Sequence, residues 1–507
     1  MVVMAWPRKQ VHDEKVMWSI EELAQRMERA ELRRGSGSAA VFVQVAAAIA
    51  EDIRRGALRG GDRLPSTRAL ADRLAVNRNT IVAAYDELIA QGWAVAHGPS
   101  GTFVGGGLPE RTGRSAPPVQ ARGLPARPGF ELRVVPAMRV AFAPSGARYQ
   151  LSLGVPDTRL LSSASLSRAY RRALRSRAGR AGLDYGDPRG QPRLRAAIAA
   201  MLRANRGISA GAENILITRG SQMGIDLSAR LLVRPGEVVA VEELSYQPAW
   251  RALEEAGARL VPVALDGDGL VVDALPDAVR CVYATPHHQY PTTVLLSPGR
   301  RMALIQRAQR ERFAIIEDDY DHEFHFEGRP VMPLAAADPG GNVIYLGTLS
   351  KILAPGLRLG FIAAAERTID GLARLSVSAV RQGDQILEYA VTDLIEDGEL
   401  ARHVRKMRRI YASRRDALAE LLTRELGGVL SFTLPAGGVT IWARADDGVK
   451  LEPWRDRALA RGVAFATAKD FALDGRPRPY LRLGYARYDE AELGDAIRRL
   501  RRSLDER

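Results

Sequence analysis

The period of the apolar residues changes partway along the chain, and the change divides it. Ile81, Tyr85, Leu88 and Ile89 recur at i, i+4, i+7 and i+8, the spacing that lines one buried face of a helix. That face leaves Asn77, Arg78, Asn79 and Thr80 free at the N-terminal end, all of them types that bond base edges and phosphates. A shorter helix comes first: Ser66, after Pro65, is placed to cap a segment carrying Leu70 and Leu74, and Ala75-Val76 supplies a tight turn. Farther on, Gly92-Trp93-Ala94-Val95 and Gly101-Thr102-Phe103-Val104 flank His97-Gly98-Pro99-Ser100 as the arms of a hairpin. Helix, turn, helix and wing in this order predict a winged helix-turn-helix, mostly α, over residues 37–105.

In residues 147–505 short apolar runs alternate with longer amphipathic stretches, which predicts an α/β domain. Strands are expected at 215–218, 238–242, 259–265, 280–286, 313–319 and 343–348. Several are continuously apolar, as strands covered on both faces of a mainly parallel sheet should be. Between the two regions, residues 106–146 are crowded with proline, glycine and arginine without a sustained period and read as a linker. Residues 1–36 read as a polar extension.

Composition sharpens this outline at three points. At 507 residues the chain is too long for one ordinary core, and no apolar run approaches the roughly 20 residues of a membrane span. The N-terminus lacks the apolar segment of a secretory signal, so a cytoplasmic protein is expected. The single cysteine, Cys281, lies in an apolar run and reads as a core residue, so no disulfide and no zinc site is expected. A net charge of +14 favours a polyanionic partner such as DNA, but 67 arginines against six lysines look like a codon bias, so charge alone adds little.

That scarcity of lysine draws attention to Lys351, which follows the apolar run Val343 to Thr348. A lysine amine becomes a nucleophile when a largely buried site depresses its pKa, and its natural product is a Schiff base. Pyridoxal phosphate would further need a carboxylate at its ring nitrogen, a donor to its ring hydroxyl and a phosphate cradle. Asp318 and Tyr320, alternate positions leaving the end of a buried strand, suit the first two. Gly220-Ser221-Gln222 ends a strand and opens a helix, offering N–H groups to phosphate, with Thr348, Ser350 and Arg358 to complete the cradle and Tyr246 to stack on the ring. Singly each is ordinary, since Asp-Asp-Tyr is most often a solvated loop and Gly-Ser-Gln a plain helix start. Their joint order is specific.

The string GDRLPSTRALADRLAVNRNTIVAAYDELIAQGW resembles the DNA-binding domain of GntR-type transcription regulators. The resemblance makes Arg68 and Arg78 the leading contacts to a double-stranded operator, supported by Arg63, Ser66, Thr67, Asn77, Asn79, Thr80 and Gly98. Behind the linker, most of residues 150–500 resembles the fold type I aminotransferases with their small C-terminal α+β subdomain. The segment YGDPRGQPRLRAAIAAML belongs to that likeness, and by analogy its Tyr185 reaches the phosphate of a partner subunit. Such a domain behind a GntR-type winged helix resembles the MocR/GabR regulators, whose versions of TPHHQYPTTVLLSPGRR, EDDYDHEF and LGTLSK this chain is similar to. The resemblance implies a head-to-tail homodimer holding pyridoxal 5'-phosphate as an aldimine at Lys351. An amino-acid-type effector would displace the lysine by aldimine exchange while Arg482, in YLRLGYARY, binds its acid group.

Two departures bear on function. The enzymes usually carry Asn-Pro-Thr-Gly where this chain has Gln289-Tyr290-Pro291-Thr292-Thr293, which counts against efficient transamination and leaves Gln289 or His288 as substitutes for the asparagine. Some of the regulators place a ligand-binding arginine where this chain has Pro248, so an effector other than γ-aminobutyrate is expected. The rival readings are an active aminotransferase carrying a DNA-binding module, and a structural DNA-binding protein with a dead second domain.

Overall fold

The computed structural model describes residues 40–106, 127, 129–132, 146–328 and 331–504. The polar extension and nearly all of the linker lie outside them. The chain falls into two compact units, Met1–Val134 and Val135–Arg507.

Among its described residues the small unit holds three helices, α1 (Val41–Arg54), α2 (Thr67–Leu74) and α3 (Arg78–Ala90), and a hairpin of β1 (Ala94–Ala96) with β2 (Thr102–Val104). Its local signals work as their chemistry requires. Ser66 Oγ accepts from the Ala69 amide at 3.2 Å, which caps α2, and Ala75 ends it in the left-handed region at φ 51°. Asn77 then caps α3, its side-chain oxygen accepting from the Asn79 amide at 2.9 Å. Ile81, Tyr85 and Leu88 are buried with Ile49, Leu70 and Leu74 in one core, and the Tyr85 hydroxyl donates to Pro65 O at 2.9 Å. Ile89 is a correction: it is 36% exposed, and Ala84 takes the buried place, because the face turned to α1 runs through 81, 84, 85 and 88.

In the large unit a seven-stranded sheet contains β3 (Ile215–Thr218), β4 (Val238–Glu242), β5 (Arg259–Val263), β6 (Cys281–Ala284), β7 (Ala314–Asp319), β8 (Val343–Thr348) and β9 (Gly360–Ala363), in the spatial order β3-β9-β8-β7-β6-β4-β5. All pairings are parallel except those of β9, which runs antiparallel to both β8 and β3. The apolar runs expected to be strands all enter this sheet. The seventh strand, Gly-Phe-Ile-Ala, is only four residues long and carries no pattern that sets it apart. Cys281 is a buried core thiol in β6. Helices including Pro192–Arg206, Ser221–Leu232 and Pro298–Glu311 pack on this sheet, and beside it lies a smaller α+β layer, in which the four-stranded antiparallel sheet of β10 (Leu430–Phe432), β11 (Thr440–Ala445), β12 (Ala466–Thr467) and β13 (Tyr480–Gly484) shares a core with the helices Glu399–Leu426 and Glu490–Leu504.

Among the described residues Ile81 is fully enclosed in a core built by three short helices and a hairpin. Ile81→Ala is expected to cost about 2–5 kcal/mol, read from denaturant unfolding of the small unit. A cost below about 0.5 kcal/mol, typical of surface positions, would contradict the packing described.

Candidate functional site

Parallel strands deliver their C-terminal ends to one edge of a sheet, where open α/β folds place their ligands. At that edge β7 ends in Asp318-Asp319, and β8 ends at Thr348, three residues before Lys351. Asp318 is paired in register with Leu346, so both chains leave the sheet side by side.

Lys351 Nζ donates to Gly154 O at 2.5 Å. Burial pushes its pKa down to about 8, Arg482 pushes the same way, and Asp321 and Asp318 oppose them. Asp318 is buried, and its Oδ2 accepts from the Tyr283 hydroxyl at 2.7 Å while Oδ1 meets no polar partner among the described residues. Burial raises its pKa to about 6, with Asp319 adding to the rise and Tyr283 and Lys351 resisting it. A buried carboxylate oxygen left open is what a protonated ring nitrogen would pair with.

Three tyrosines line the same place. Tyr290 stands edge-on to Tyr246 at 5.4 Å and to Tyr320 at 5.8 Å. The Arg482 guanidinium lies 4.4 Å over the Tyr290 ring, and its Nη1 donates to Ser152 O at 3.2 Å. Arg482 is 2% exposed, and its Nε meets no partner among the described residues. Gly154 joins the lysine to this arginine, since its carbonyl accepts from Lys351 and a Cβ on it would stand 2.9 Å from Arg482 Nη2.

The phosphate candidates gather beside β3. Gly220 adopts φ +79° at the cap of the helix Ser221–Leu232, and a Cβ there would meet the Arg358 guanidinium at 2.9 Å. Only glycine permits both the turn and that approach. Arg358 donates to Arg219 O at 2.9 Å, Thr348 Oγ1 accepts from the Ser350 amide at 3.1 Å, and Gln222 donates to Pro248 O at 3.0 Å with its buried Oε1 left open. Tyr185 is not brought to this group: it is 74% exposed, with Arg381 stacked 4.2 Å over its ring.

Neither substitute for the missing asparagine is simply available. Gln289 Nε2 donates to Glu242 Oε2 at 3.1 Å, Leu244 O at 2.7 Å and Tyr290 O at 2.8 Å, and its Oε1 accepts from Thr292. His288 Nδ1 is 2.7 Å from Asp321 Oδ1, and its Nε2 faces Gly437. Gly154 and Tyr283 are the site residues that sequence reasoning missed. One is a main-chain acceptor and the other sits mid-strand, so neither announces itself by type or position.

On the small unit Arg63, Ser66, Arg68, Asn77, Arg78, Asn79 and Gly98 are exposed, and Thr67 and Thr80 are half-buried. Arg78 Nε donates to Thr67 Oγ1 at 3.4 Å, joining the starts of α2 and α3, while a Cβ on Gly101 in the hairpin would meet Arg63 Nε at 3.2 Å.

Residues 42–104 match the family model "Bacterial regulatory proteins, gntR family", and residues 148–500 match "Aminotransferase class I and II". The chain is 34% identical over 459 residues to the probable rhizopine catabolism regulatory protein MocR of Rhizobium meliloti, covering 89% of this chain and 91% of that one. The chain belongs to the MocR-type regulators of the gntR family. A second MocR-type relative, the transcriptional regulator TauR of Rhodobacter capsulatus, is 32% identical over 467 residues, covering 90% of this chain and 95% of its own. Among solved structures, kynurenine aminotransferase of Pyrococcus horikoshii, in complex with PMP, superposes at TM-score 0.66 with 29% identity over 70% of this chain and 90% of that one. The aminoadipate aminotransferase LysN of Thermus thermophilus, complexed with N-(5'-phosphopyridoxyl)-L-leucine, gives 0.65 with 29% identity over 72% and 95%. This MocR-type chain is therefore a winged helix domain joined to a fold type I aminotransferase domain.

Two outcomes are expected. In protein freed of cofactor, acylation of Lys351 should reach half its limiting rate near pH 8, because a lowered pKa leaves the neutral amine populated at lower pH, and K351A should lose that labelled peptide. A rate that rises only around pH 10, where free lysine titrates, would contradict the buried amine. For the small unit, alanine at Arg78 or Arg68 should flatten the salt dependence of operator binding by about one unit of slope if the contact is to phosphate, or relax base preference by about 1–3 kcal/mol if it is to a base. Wild-type binding by both variants would remove them from the interface.

Proposed function

We propose that this DNA-binding transcription regulator senses an amino-acid-type effector through its aminotransferase-like domain and does not consume it. The cofactor is pyridoxal 5'-phosphate, which when bound supplies an aldehyde carbon that condenses reversibly with amines. The open Asp318 Oδ1 fits its ring nitrogen, and the Arg358 guanidinium, which Gly220 admits close to the start of the helix Ser221–Leu232, fits its phosphate.

Each residue then has a task. Lys351, its pKa pushed down to about 8 by burial, would present a neutral amine toward the aldehyde carbon of the bound cofactor, where another amine could take its place. Asp318 holds the proton on the ring nitrogen, and Tyr320 addresses the ring hydroxyl. Amides of Gly220, Ser221 and Gln222 with Arg358, Thr348 and Ser350 take the phosphate, Tyr246 stacks on the ring, and Arg482, with an open Nε, takes the effector's acid group. Pro248 occupies the place of a second ligand arginine, which favours an effector other than γ-aminobutyrate. The working form is a head-to-tail homodimer in the cytoplasm, in which the exposed Tyr185 reaches the partner subunit's phosphate.

The observation that carries this reading is the pairing of a low-pKa Lys351 with a Gln289 whose amide is spent on Glu242 and Leu244. Amine exchange needs only the first. Full amino-group transfer also needs proton movements that tolerate little misplacement, an error of about 1 Å costing on the order of a hundredfold. Effector binding shifts DNA affinity only as far as the two arrangements of the dimer differ in their affinity for it.

Candidate amino acids should therefore change the cofactor's absorption and the operator affinity together, with negligible keto-acid product. Sustained turnover of about one per second or more, an ordinary enzymic rate, would replace the sensor reading with that of an active aminotransferase.

A further inference from the structure

Histidine is scarce in this chain, yet four of its seven copies, His287, His288, His322 and His325, lie in two turns of the large unit. The turns follow β6 and β7, which are adjacent parallel strands, so the topology stacks one on the other. All four rings are buried, at 1%, 2%, 5% and 3% exposure in that order. The His287 ring centroid lies 4.4 Å from that of His288, 4.5 Å from His322 and 5.7 Å from His325.

A buried imidazole ordinarily has its ring nitrogens hydrogen-bonded. Here both nitrogens of His287, Nε2 of His288 and Nδ1 of His325 meet no partner among the described residues. Packing alone does not account for open nitrogens that converge, and one ligand nitrogen from each of His287, His288 and His325 lies within 4.8 Å of the other two. Imidazole nitrogens at about 2.0–2.1 Å around a tetrahedral ion are roughly 3.4 Å apart, so these nitrogens close by at most about 1.4 Å to share an ion. Asp321 supplies the complementary feature: its Oδ1, 2.7 Å from His288 Nδ1, holds the ring with Nε2 turned inward. A carboxylate behind the far nitrogen is how metal-bound histidines are oriented. Gly437 keeps that side clear, since a Cβ there would stand 2.7 Å from His288 Nε2.

We propose that His287, His288 and His325 form a binding site for a divalent transition-metal ion of the zinc class, with Asp321 orienting His288. Three imidazoles without thiolate suit zinc, cobalt, nickel or copper(II). The bound ion ties the turn carrying Gln289 and Tyr290 to the turn carrying Tyr320, and so braces two walls of the cofactor site without taking part in its chemistry. The expectation of no zinc site rests on the single cysteine and passes over histidines on separate turns.

The test uses untagged full-length protein, stripped with a chelator and titrated with Co2+ alone. One ion per chain is expected, with visible d–d bands of a low-coordinate cobalt–imidazole complex that Zn2+ abolishes, and a Zn2+-dependent rise in Tm. H287N and H325Q should lose the bands and the Tm rise, while H403Q, altered away from the cluster, keeps both. Since a buried substitution can unfold the chain, X-ray absorption of zinc-loaded wild-type protein provides a readout without variants and should show imidazole scattering around the ion. Substoichiometric cobalt binding by wild-type protein, unchanged bands in folded H287N and H325Q, or a zinc shell without imidazole would each overturn the site.

Discussion

Parallel pairing of β6, β7 and β8 is the constraint from which the large unit's chemistry follows. Strands that run the same way must release their chains at the same edge, and the register that sets Asp318 beside Leu346 brings a carboxylate and a following lysine to that edge together. Neither charge is comfortable there: burial raises Asp318 to about 6 and lowers Lys351 to about 8. The fold therefore holds both groups close to the point of losing their charge, which is where acid, base and nucleophile are most responsive to a new neighbour.

How much of this was legible in the sequence depended on whether the information was local. Ser66, Asn77 and the Ala75 turn act through residues one to three positions away, and reading them in order is enough to draw the winged helix. The strands covered on both faces betray themselves by unbroken apolar runs, whereas β9, Gly-Phe-Ile-Ala, opens on a glycine directly after the segment that follows Lys351 and does not stand apart from it. Ile89 misled because its spacing fits a helix face that, in the fold, turns partly to solvent. Lys351, Asp318 and Tyr320 stood out through scarcity and strand-end position. Gly154, Tyr283 and Asp321 did not, because each matters through a contact with a residue far along the chain.

The departure at Gln289 shows why type alone misleads at a site. Matched on Pro291, the motif's asparagine falls at Tyr290, and Gln289 is the neighbouring amide that looks able to stand in for it on paper. In the structure its amide bridges Glu242, the Leu244 carbonyl and Thr292, with Thr285 bonded to the same carboxylate. It has become part of the wall and is no longer a hand extended into the pocket. Burial pushes the Glu242 pKa up to about 7, against the hydrogen bonds from Thr285 and Gln289 that favour its charge.

Gly154 gives the floor of the site an unexpected address. It belongs to the first described stretch of the large unit, which enters through Tyr149–Gln150, pairs with Val463–Ala464, and then passes beneath Arg482 and Lys351. The carbonyl that accepts from Lys351 is thus borne by the incoming thread of chain itself. A Lys351 turned away from Gly154 would leave that main-chain carbonyl without its donor.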